Sequence, residues 1–177
     1  MEETHSIPVL FGDEEIAERI EELAHEISQQ MSGDIMIVSL LRGSFMFTAD
    51  LIRAMYHIGL HPQIDFMTLS SYQGAKSTRE VTINRDITES VEGKHVLIVD
   101  DILETGRTLE YAHKELLGRG AASIKVAVLL EKPGKLESEM KADFIGFHVP
   151  DKFVVGYGLD YDNLYRELPY IGYVDIH

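Results

Sequence analysis

The sequence predicts one α/β domain in which helices flank a mainly parallel, twisted sheet. Three short runs are almost wholly apolar, as expected for strands that a parallel sheet buries on both faces: residues 35–41, 96–99 and 126–130. A turn with a glycine and then a helical stretch follow the first two runs, and this is the repeating unit of such sheets. The chain has 177 residues, which suits a single domain spanning residues 1–177.

The first predicted element is a helix near the N-terminus. Apolar residues from Ile16 to Met31 recur at intervals of three or four positions, which places them on one helical face. Asp13 is predicted to cap its start, and the acidic side chains of Glu14 and Glu15 suit the positive end of the helix dipole.

The next elements alternate between strand and helix. The buried strand at 35–41 leads through a short turn into a helix over 45–55. A further strand is expected at 64–70. Residues 71–79 are polar and lack periodicity, which predicts a mobile loop. Apolar and polar residues then alternate over 81–85, as in a half-exposed strand.

The second half of the chain repeats this alternation. The strand at 96–99 is followed by a helix that reaches about Leu117 and is ended by Gly118 and Gly120. A buried strand follows at 126–130. Two shorter apolar runs are candidate strands, residues 144–147 and 153–155.

Composition excludes several classes of protein. The formal net charge is −14, so the chain lacks the basic balance that suits a general nucleic-acid binder or an anionic membrane surface. It has no cysteine, which excludes disulfides, thiolate nucleophiles and cysteine-ligated zinc. No signal peptide and no apolar stretch of membrane-spanning length is recognisable, so we expect a cytoplasmic protein without a membrane or nucleic-acid partner.

The strongest functional signal is the segment VLIVDDILETGRTL, residues 96–109. Asp100 and Asp101 stand where a buried strand ends, which is the edge at which open α/β sheets bind ligands. A turn containing Gly106 follows and leads into a helix, and its backbone N–H groups can cradle an anion. A phosphate cradle beside two carboxylates suits a ribose phosphate, whose hydroxyls or bound cation would meet the carboxylates.

This segment resembles the motif by which type I phosphoribosyltransferases bind 5-phosphoribosyl diphosphate (PRPP). It is neither a Walker A loop nor a dinucleotide-binding fingerprint. Four further segments resemble bacterial hypoxanthine–guanine phosphoribosyltransferases: LLRGSFMF from Leu40, DFMTLSSY from Asp65, PDKFVVGYGLDY from Pro150 and YRELPYIG from Tyr165. They occur in the order typical of that family and cover most of the chain after residue 35.

The resemblance implies a fold, a reaction and its partners. The fold would be the type I phosphoribosyltransferase fold, with a small hood built from N- and C-terminal segments over the sheet. The enzyme would transfer 5-phosphoribose from PRPP to N9 of hypoxanthine or guanine and release pyrophosphate with IMP or GMP. The family needs Mg²⁺, passes through an oxocarbenium-like transition state, and forms homodimers or homotetramers.

The resemblance also assigns roles to residues. Glu104 and Lys132 match catalytic positions: Glu104 is the candidate base near purine N7, and Lys132 donates to the 6-oxo group. The ribose hydroxyls and metal would be met by Asp100 and Asp101, and a second metal ion by Asp160. The 5′-phosphate cradle would comprise Glu104, Thr105, Gly106, Arg107 and Thr108.

Two further sets complete the implied site. Pyrophosphate would be held by a turn that carries a non-proline cis peptide, by a mobile loop and by an arginine, which correspond to Arg42, Gly43, Ser71, Tyr72 and Arg166. The purine would be contacted by Phe153 stacking on its face and by the carbonyl of Val154 at its 2-position, with Ile102, Lys132 and Asp160 around it.

One position departs from the family pattern in a chemically important way. The family usually has aspartate where this chain has Glu104, so the candidate base is one methylene longer. The usual Glu-Asp pair is Asp100-Asp101 here, and the loop after Ser71 is one residue shorter.

Two alternatives to this enzyme stay open on the sequence. One is a phosphoribosyltransferase-like regulator that senses nucleotide and binds RNA, although the net charge of −14 argues against it. The other is a transferase for another base, such as xanthine or a pyrimidine. The segment PDKFVVGYGLDY favours a 6-oxopurine.

Overall fold

The structure is a computed structural model that describes residues 6–73 and 79–176. Its elements follow the chain in an order that alternates strands and helices around one large sheet: β1 (Val9–Phe11), α1 (Asp13–Gln30), β2 (Ile35–Leu41), α2 (Phe45–His57), β3 (Gln63–Gln73), β4 (Arg79–Arg85), β5 (His95–Leu103), α3 (Arg107–Gly118), β6 (Ser123–Glu131), β7 (Phe144–His148), β8 (Phe153–Val155) and β9 (Ile171–Val174). The predicted α/β class is confirmed.

The large sheet has six strands in the order β4-β3-β2-β5-β6-β7. Five of them are parallel, and β4 pairs antiparallel with β3 at one edge. The central strand β5 pairs with β2 from Ile35↔His95 and with β6 from His95↔Ser123, so the three strands start level. Their carboxyl ends therefore lie together at one edge of the sheet.

Helices cover both faces of this sheet. One core lies under α1 and α2 and includes Leu23 and Phe47, while the other lies under α3 and includes Leu116. Each central strand is buried over a continuous stretch of four to six residues, which explains why these stretches read as continuous apolar runs rather than alternating ones.

A second, small sheet joins the two ends of the chain. It has the order β1-β9-β8, and all its pairs are antiparallel. Val154 and Ile171 of this sheet belong to the same core as α1 and α2. This sheet is the hood that the family resemblance predicted, although the sequence patterns alone indicated neither β1 nor β9.

Two local predictions were wrong. Asp13 is the first residue of α1 and not its cap, because Gly12 occupies the N-cap position with an extended backbone. Ser71, Tyr72 and Arg79 were predicted to lie in a mobile loop, but they belong to β3 and β4, whose pairing extends to Gln73↔Arg79. Cross-strand hydrogen bonds stabilise this hairpin where side-chain periodicity is weak. Residues 74–78 of the predicted loop lie outside the described residues.

Within the part of the chain that the structure describes, no helix combines the length and the apolar character that a membrane span needs.

Candidate active site

The site lies at the carboxyl edge of the large sheet, where three neighbouring strands end. β2 ends at Leu41 and is followed by the turn Arg42-Gly43, while β5 carries Asp100 and Asp101 near its end. Lys132 directly follows β6, and its N–H donates to the carbonyl of Leu103 at 3.0 Å. Because parallel strands end at one edge, residues about 90 positions apart become neighbours.

The predicted phosphate cradle forms a cavity of about 260 Å³ between the end of β5 and the start of α3. Gly106 is the N-cap of α3 and has a φ of 81°, a left-handed conformation that favours glycine. The first N–H groups of α3 are free of helical partners and point toward this end of the helix. The cavity is lined by Asp100, Asp101, Ile102, Leu103, Glu104, Thr105, Gly106, Thr108 and Leu109.

A neighbouring loop supports the cradle from outside. The N–H of Glu137 donates to the carbonyl of Thr105 at 2.9 Å, and the carboxylate of Glu137 forms an ion pair with Arg107. A Cβ on Gly106 would lie 2.5 Å from the hydroxyl oxygen of Ser138. The Arg107 side chain is thus engaged by Glu137, and Arg107 does not line the cavity that the neighbouring residues Gly106 and Thr108 line.

The acidic pair lies in a desolvated environment. Burial raises the pKa of Asp100 well above its usual value, and the adjacent charge of Asp101 raises it further. Burial also raises the pKa of Asp101. The N–H of Asp101 donates to Asp100 at 2.8 Å, and the N–H of Ile102 donates to Asp101 at 2.7 Å. A cation or hydroxyl donor placed here would relieve the repulsion between the two carboxylates.

The turn after β2 packs directly on this pair. The Leu41–Arg42 peptide is cis, as the resemblance implied. A Cβ on Gly43 would lie 1.8 Å from the Asp101 carboxylate, so only glycine allows the backbone this close. The Arg42 side chain is exposed.

The two predicted catalytic residues meet. Lys132 is 7% exposed, and its ammonium lies 3.5 Å from the carboxylate of Glu104. The Glu104 side chain is 44% exposed and forms the boundary between the phosphate cradle and a second cavity. The extra methylene of glutamate does not turn the carboxylate away from the site.

This second cavity, of about 180 Å³, collects the residues predicted to hold the purine. Ile102, Lys132, Phe153, Val154 and Asp160 all line it, together with Asp101, Glu104 and Leu159. Phe153 is 40% exposed and packs edge-on against Tyr161, with ring centroids 5.3 Å apart. A buried donor, a half-exposed aromatic face and an apolar wall suit a flat heterocycle with a polar edge.

Arg166 lies beside the cavity, held by the loop that follows β8. Its guanidinium donates to the carbonyl of Gly158 at 2.6 Å and forms an ion pair with Asp160 at 3.2 Å. The positive charge of Arg166 also acts on Asp101, where it opposes the rise in pKa caused by burial. The arginine therefore faces the edge of the site that carries the acidic pair.

Among the described residues, five predicted site residues line neither cavity: Arg42, Gly43, Ser71, Arg107 and Arg166. Ser71 lies in β3 opposite Val81, beyond Thr68, which pairs with Leu41 at the end of β2. Tyr72 follows it in the same strand, and its side chain lies outside the described residues. Both belong to the hairpin arm beside the site.

Sequence reasoning missed other residues that shape the site. Leu159 forms an apolar wall of the purine cavity, but nothing distinguishes it from a core leucine in the sequence. A further hollow of about 480 Å³ shares Glu104, Lys132 and Phe153 with that cavity and extends to the C-terminal strand, where it is lined by Asp151, Lys152, Val174, Asp175 and Ile176. The two glycines in Gly-Tyr-Gly at 156–158 were the available signal for the tight loop described below.

Comparison with known proteins agrees with this geometry. The family model of the phosphoribosyl transferase domain matches residues 11–162. This range includes every residue that lines the phosphate cradle and the second cavity. A hypoxanthine phosphoribosyltransferase from Escherichia coli is 45% identical over 174 residues, covering 96% of each chain. A hypoxanthine-guanine phosphoribosyltransferase from Bacillus subtilis is 45% identical and covers 93% of this chain and 91% of its own.

Solved structures have the same fold. A hypoxanthine phosphoribosyltransferase from Staphylococcus aureus aligns with a TM-score of 0.89 at 41% identity, covering 98% of this chain and 97% of its own. A variant of the Trypanosoma cruzi enzyme, in a ternary complex with substrates, aligns with a TM-score of 0.88 at 40% identity and covers 94% of both chains. The chain belongs to the phosphoribosyltransferase family, among the hypoxanthine–guanine phosphoribosyltransferases.

Proposed function

We propose that this protein is a purine-salvage enzyme that transfers 5-phosphoribose from PRPP to N9 of hypoxanthine or guanine. The observation that supports this most strongly is the junction of two cavities at Glu104. One is a phosphate cradle at a helix N-terminus, and the other is lined by Lys132 and Phe153. A ribose that carries a phosphate on one side and a base on the other fits that junction.

The purine cavity supplies recognition and proton transfer in this proposal. The Lys132 ammonium has donors only, so it suits a 6-oxo acceptor and disfavours a 6-amino group. Glu104, already 3.5 Å from Lys132, takes the purine proton as the base attacks. Phe153 stacks on the ring, and the carbonyl of Val154 meets the 2-position.

The cradle and the acidic edge hold the phosphoribosyl group. Backbone N–H groups and hydroxyls of residues 105–108 bind the 5′-phosphate, and Asp100 and Asp101 contact the ribose hydroxyls. The C1′–oxygen bond to pyrophosphate breaks while the C1′–N9 bond forms. Arg166 and the turn Arg42-Gly43 hold the departing pyrophosphate and stabilise its charge.

The acidic residues also fit a magnesium ion. Mg²⁺ prefers oxygen ligands and commonly uses one or two carboxylates together with substrate phosphates and water. Asp100 and Asp101 offer such oxygens in a desolvated pair, with Asp160 nearby. The described residues contain no group of three or more His, Asp or Glu side chains that would hold a metal. Bound Mg²⁺ would neutralise pyrophosphate charge.

The experiment that tests this function is a pyrophosphate-release assay. The purified chain, PRPP, Mg²⁺ and hypoxanthine should yield pyrophosphate and IMP in equal amounts, and guanine should yield GMP. Chelating the metal should abolish both. Failure to form IMP at any metal concentration would reject the proposal.

The proposal includes a cytoplasmic homodimer or homotetramer. Support for self-association comes from an apolar groove of about 450 Å³ between α2 and β3, lined in part by the exposed side chains of Tyr56 and Ile64. Its lining shares no residue with the phosphate cradle or the second cavity. An apolar surface of this kind suits a second copy of the chain. Sedimentation analysis would measure the mass, and a monomer at assay concentrations would contradict this part.

A further inference from the structure

The loop that follows β8 has an unusual backbone. Three consecutive residues have positive φ: Gly156 at 94°, Tyr157 at 49° and Gly158 at 99°. A bulky side chain in this region is uncommon and carries a steric cost. Tyr157 is nevertheless only 6% exposed, so its surroundings hold it in place.

The Tyr157 hydroxyl contacts α2, the helix that follows the Arg42-Gly43 turn. It donates a hydrogen bond to the carboxylate of Asp50 in α2, which also accepts from Arg53. Burial, and then the hydrogen bond to Asp50, raise the pKa of the Tyr157 phenol, so the hydroxyl remains a donor throughout the physiological range. A bond to a carboxylate is stronger than one between neutral groups.

Gly158, the next residue, contacts both of the groups predicted to hold pyrophosphate, the Arg42-Gly43 turn and Arg166. A Cβ on Gly158 would lie 2.5 Å from the carbonyl oxygen of Gly43, so the two backbones are in close contact. Gly158 also donates its N–H to the carbonyl of Arg166 at 3.0 Å and accepts from the Arg166 guanidinium at 2.6 Å.

The helix that carries Asp50 starts directly after the turn that carries Gly43. α2 begins at Phe45, and the N–H of Phe45 donates to the carbonyl of Arg42 at 3.2 Å. Asp50 therefore lies within the first two helical turns of α2, and this short stretch of rigid backbone fixes its position relative to the Arg42-Gly43 segment. The hydrogen bond from Tyr157 to Asp50 therefore connects the loop that contacts Arg166 to the helix that follows the Arg42-Gly43 turn.

We propose that Tyr157 and Asp50 are positioning residues for pyrophosphate. Their hydrogen bond fixes the distance between the Arg42-Gly43 turn and Arg166, the two groups that would hold the leaving group. This inference rests on the proposed function, which places pyrophosphate between them. Neither side chain lines the cradle or the purine cavity.

The test compares binding of pyrophosphate with use of the purine. Tyr157→Phe and Asp50→Ala should each raise KM for PRPP, and the calorimetric Kd for pyrophosphate with Mg²⁺, about 10–150-fold, the range expected for loss of one hydrogen bond to a charged group. KM for hypoxanthine should stay within about twofold. The Tyr157→Phe/Asp50→Ala double variant should resemble either single variant, because both changes remove one interaction.

Two matched variants separate positioning from general stability. Asp50→Asn keeps an acceptor oxygen for the hydroxyl and should restore most of the affinity. Arg53→Gln removes the other partner of Asp50. The Arg53 side chain is 73% exposed, and this change should leave KM for PRPP unchanged.

Three outcomes would overturn the inference. They are an unchanged pyrophosphate Kd in Tyr157→Phe or Asp50→Ala, an equal rise in KM for both substrates, and additive losses in the double variant. If Tyr157→Phe does not fold, Asp50→Ala carries the test. A wild-type chain that forms no IMP would reject the proposed function instead, and the pyrophosphate Kd would still decide this inference.

Discussion

Glu104 stands where the family usually has aspartate, and its contact with Lys132 bears on the chemistry. An ion pair of 3.5 Å keeps the carboxylate at the purine cavity although the side chain is longer. The pair places a proton acceptor beside the donor that would read the 6-oxo group. The departure from the family pattern is therefore compatible with general-base catalysis.

Replacing Glu104 tests that role. Glu104→Gln keeps the size and removes the base, so kcat should fall about 10²–10⁴-fold with little change in PRPP affinity, because backbone groups form most of the cradle. Glu104→Asp should retain substantial activity. The measurement is the pH profile of kcat for each variant. Near-wild-type turnover of Glu104→Gln across that range would show that the Glu104 carboxylate is not the base.

Arg166 gives a second test at the residue scale. Arg166→Ala should weaken the binding of PRPP and of pyrophosphate by about 1.5–3 kcal/mol, the usual contribution of a hydrogen bond to a charged group. Affinity for free purine should change much less. Equilibrium titration with each ligand measures both effects, and a loss confined to the purine would contradict the placement of Arg166 at the pyrophosphate.

The half-buried pair Asp100 and Asp101 predicts that these functional carboxylates lower the stability of the fold. Because the pKa of Asp100 is raised in the folded state, the ionised carboxylate destabilises the fold at neutral pH. In metal-free protein at pH 7, Asp100→Asn should raise the free energy of unfolding by about 0.5–2 kcal/mol. It should also weaken PRPP binding.

The pH dependence of this gain has a definite sign. As pH falls through the raised pKa, wild-type Asp100 takes up a proton in the folded state and the penalty disappears, so the advantage of Asp100→Asn should shrink. Thermal unfolding at pH 7 and at pH 4 measures it. Asp151→Asn is the control, since Lys135 holds the pKa of Asp151 below its usual value and the change should give no gain. A gain that is constant with pH would contradict the account.

At the scale of elements, the start of α3 is a part of the site that depends on backbone shape. Gly106→Ala would place a Cβ 2.5 Å from the Ser138 hydroxyl at a φ of 81°. The strain should cost about 1–2 kcal/mol and raise KM for PRPP. Gly118→Ala, at the other end of the same helix, meets no atom within 4 Å and is the control. Equal melting temperatures for the two variants would contradict this role of Gly106.

Some strands could be predicted from the sequence and others could not. The buried strands β2, β5 and β6 were recognisable, because burial on both faces leaves an uninterrupted apolar run. β1 and β9 were not, since three- and four-residue strands have too few positions for a pattern, and their pairing joins the two ends of the chain.

For the site, the predictable part was the part encoded locally. The segment from Asp100 to Thr108 is one strand, one turn and one helix start, so its anion-binding geometry could be inferred from residue types. The Tyr157–Asp50 bond and the wall formed by Leu159 depend on contacts across the fold, and local sequence carries no signal for them.

For the whole molecule, the large sheet and the hood each supply half of the site. β5 and β6 bring the cradle, Glu104 and Lys132, while β8 brings Phe153 and Val154 and the segment after it brings Asp160 and Arg166. Val154 and Leu159 share a core with α1 and α2, which anchors the hood segment over the sheet. The site therefore depends on the correct packing of both sheets.

The most direct test of the central claim is the ratio of kcat/KM for hypoxanthine and adenine, measured with PRPP and Mg²⁺. If the buried Lys132 ammonium reads the 6-position, the value for adenine should be at least about 100-fold lower, because a donor-only group faces an amino group and stays unpaired. Guanine, which keeps the 6-oxo group, should remain a substrate. Equal use of adenine and hypoxanthine would contradict the account.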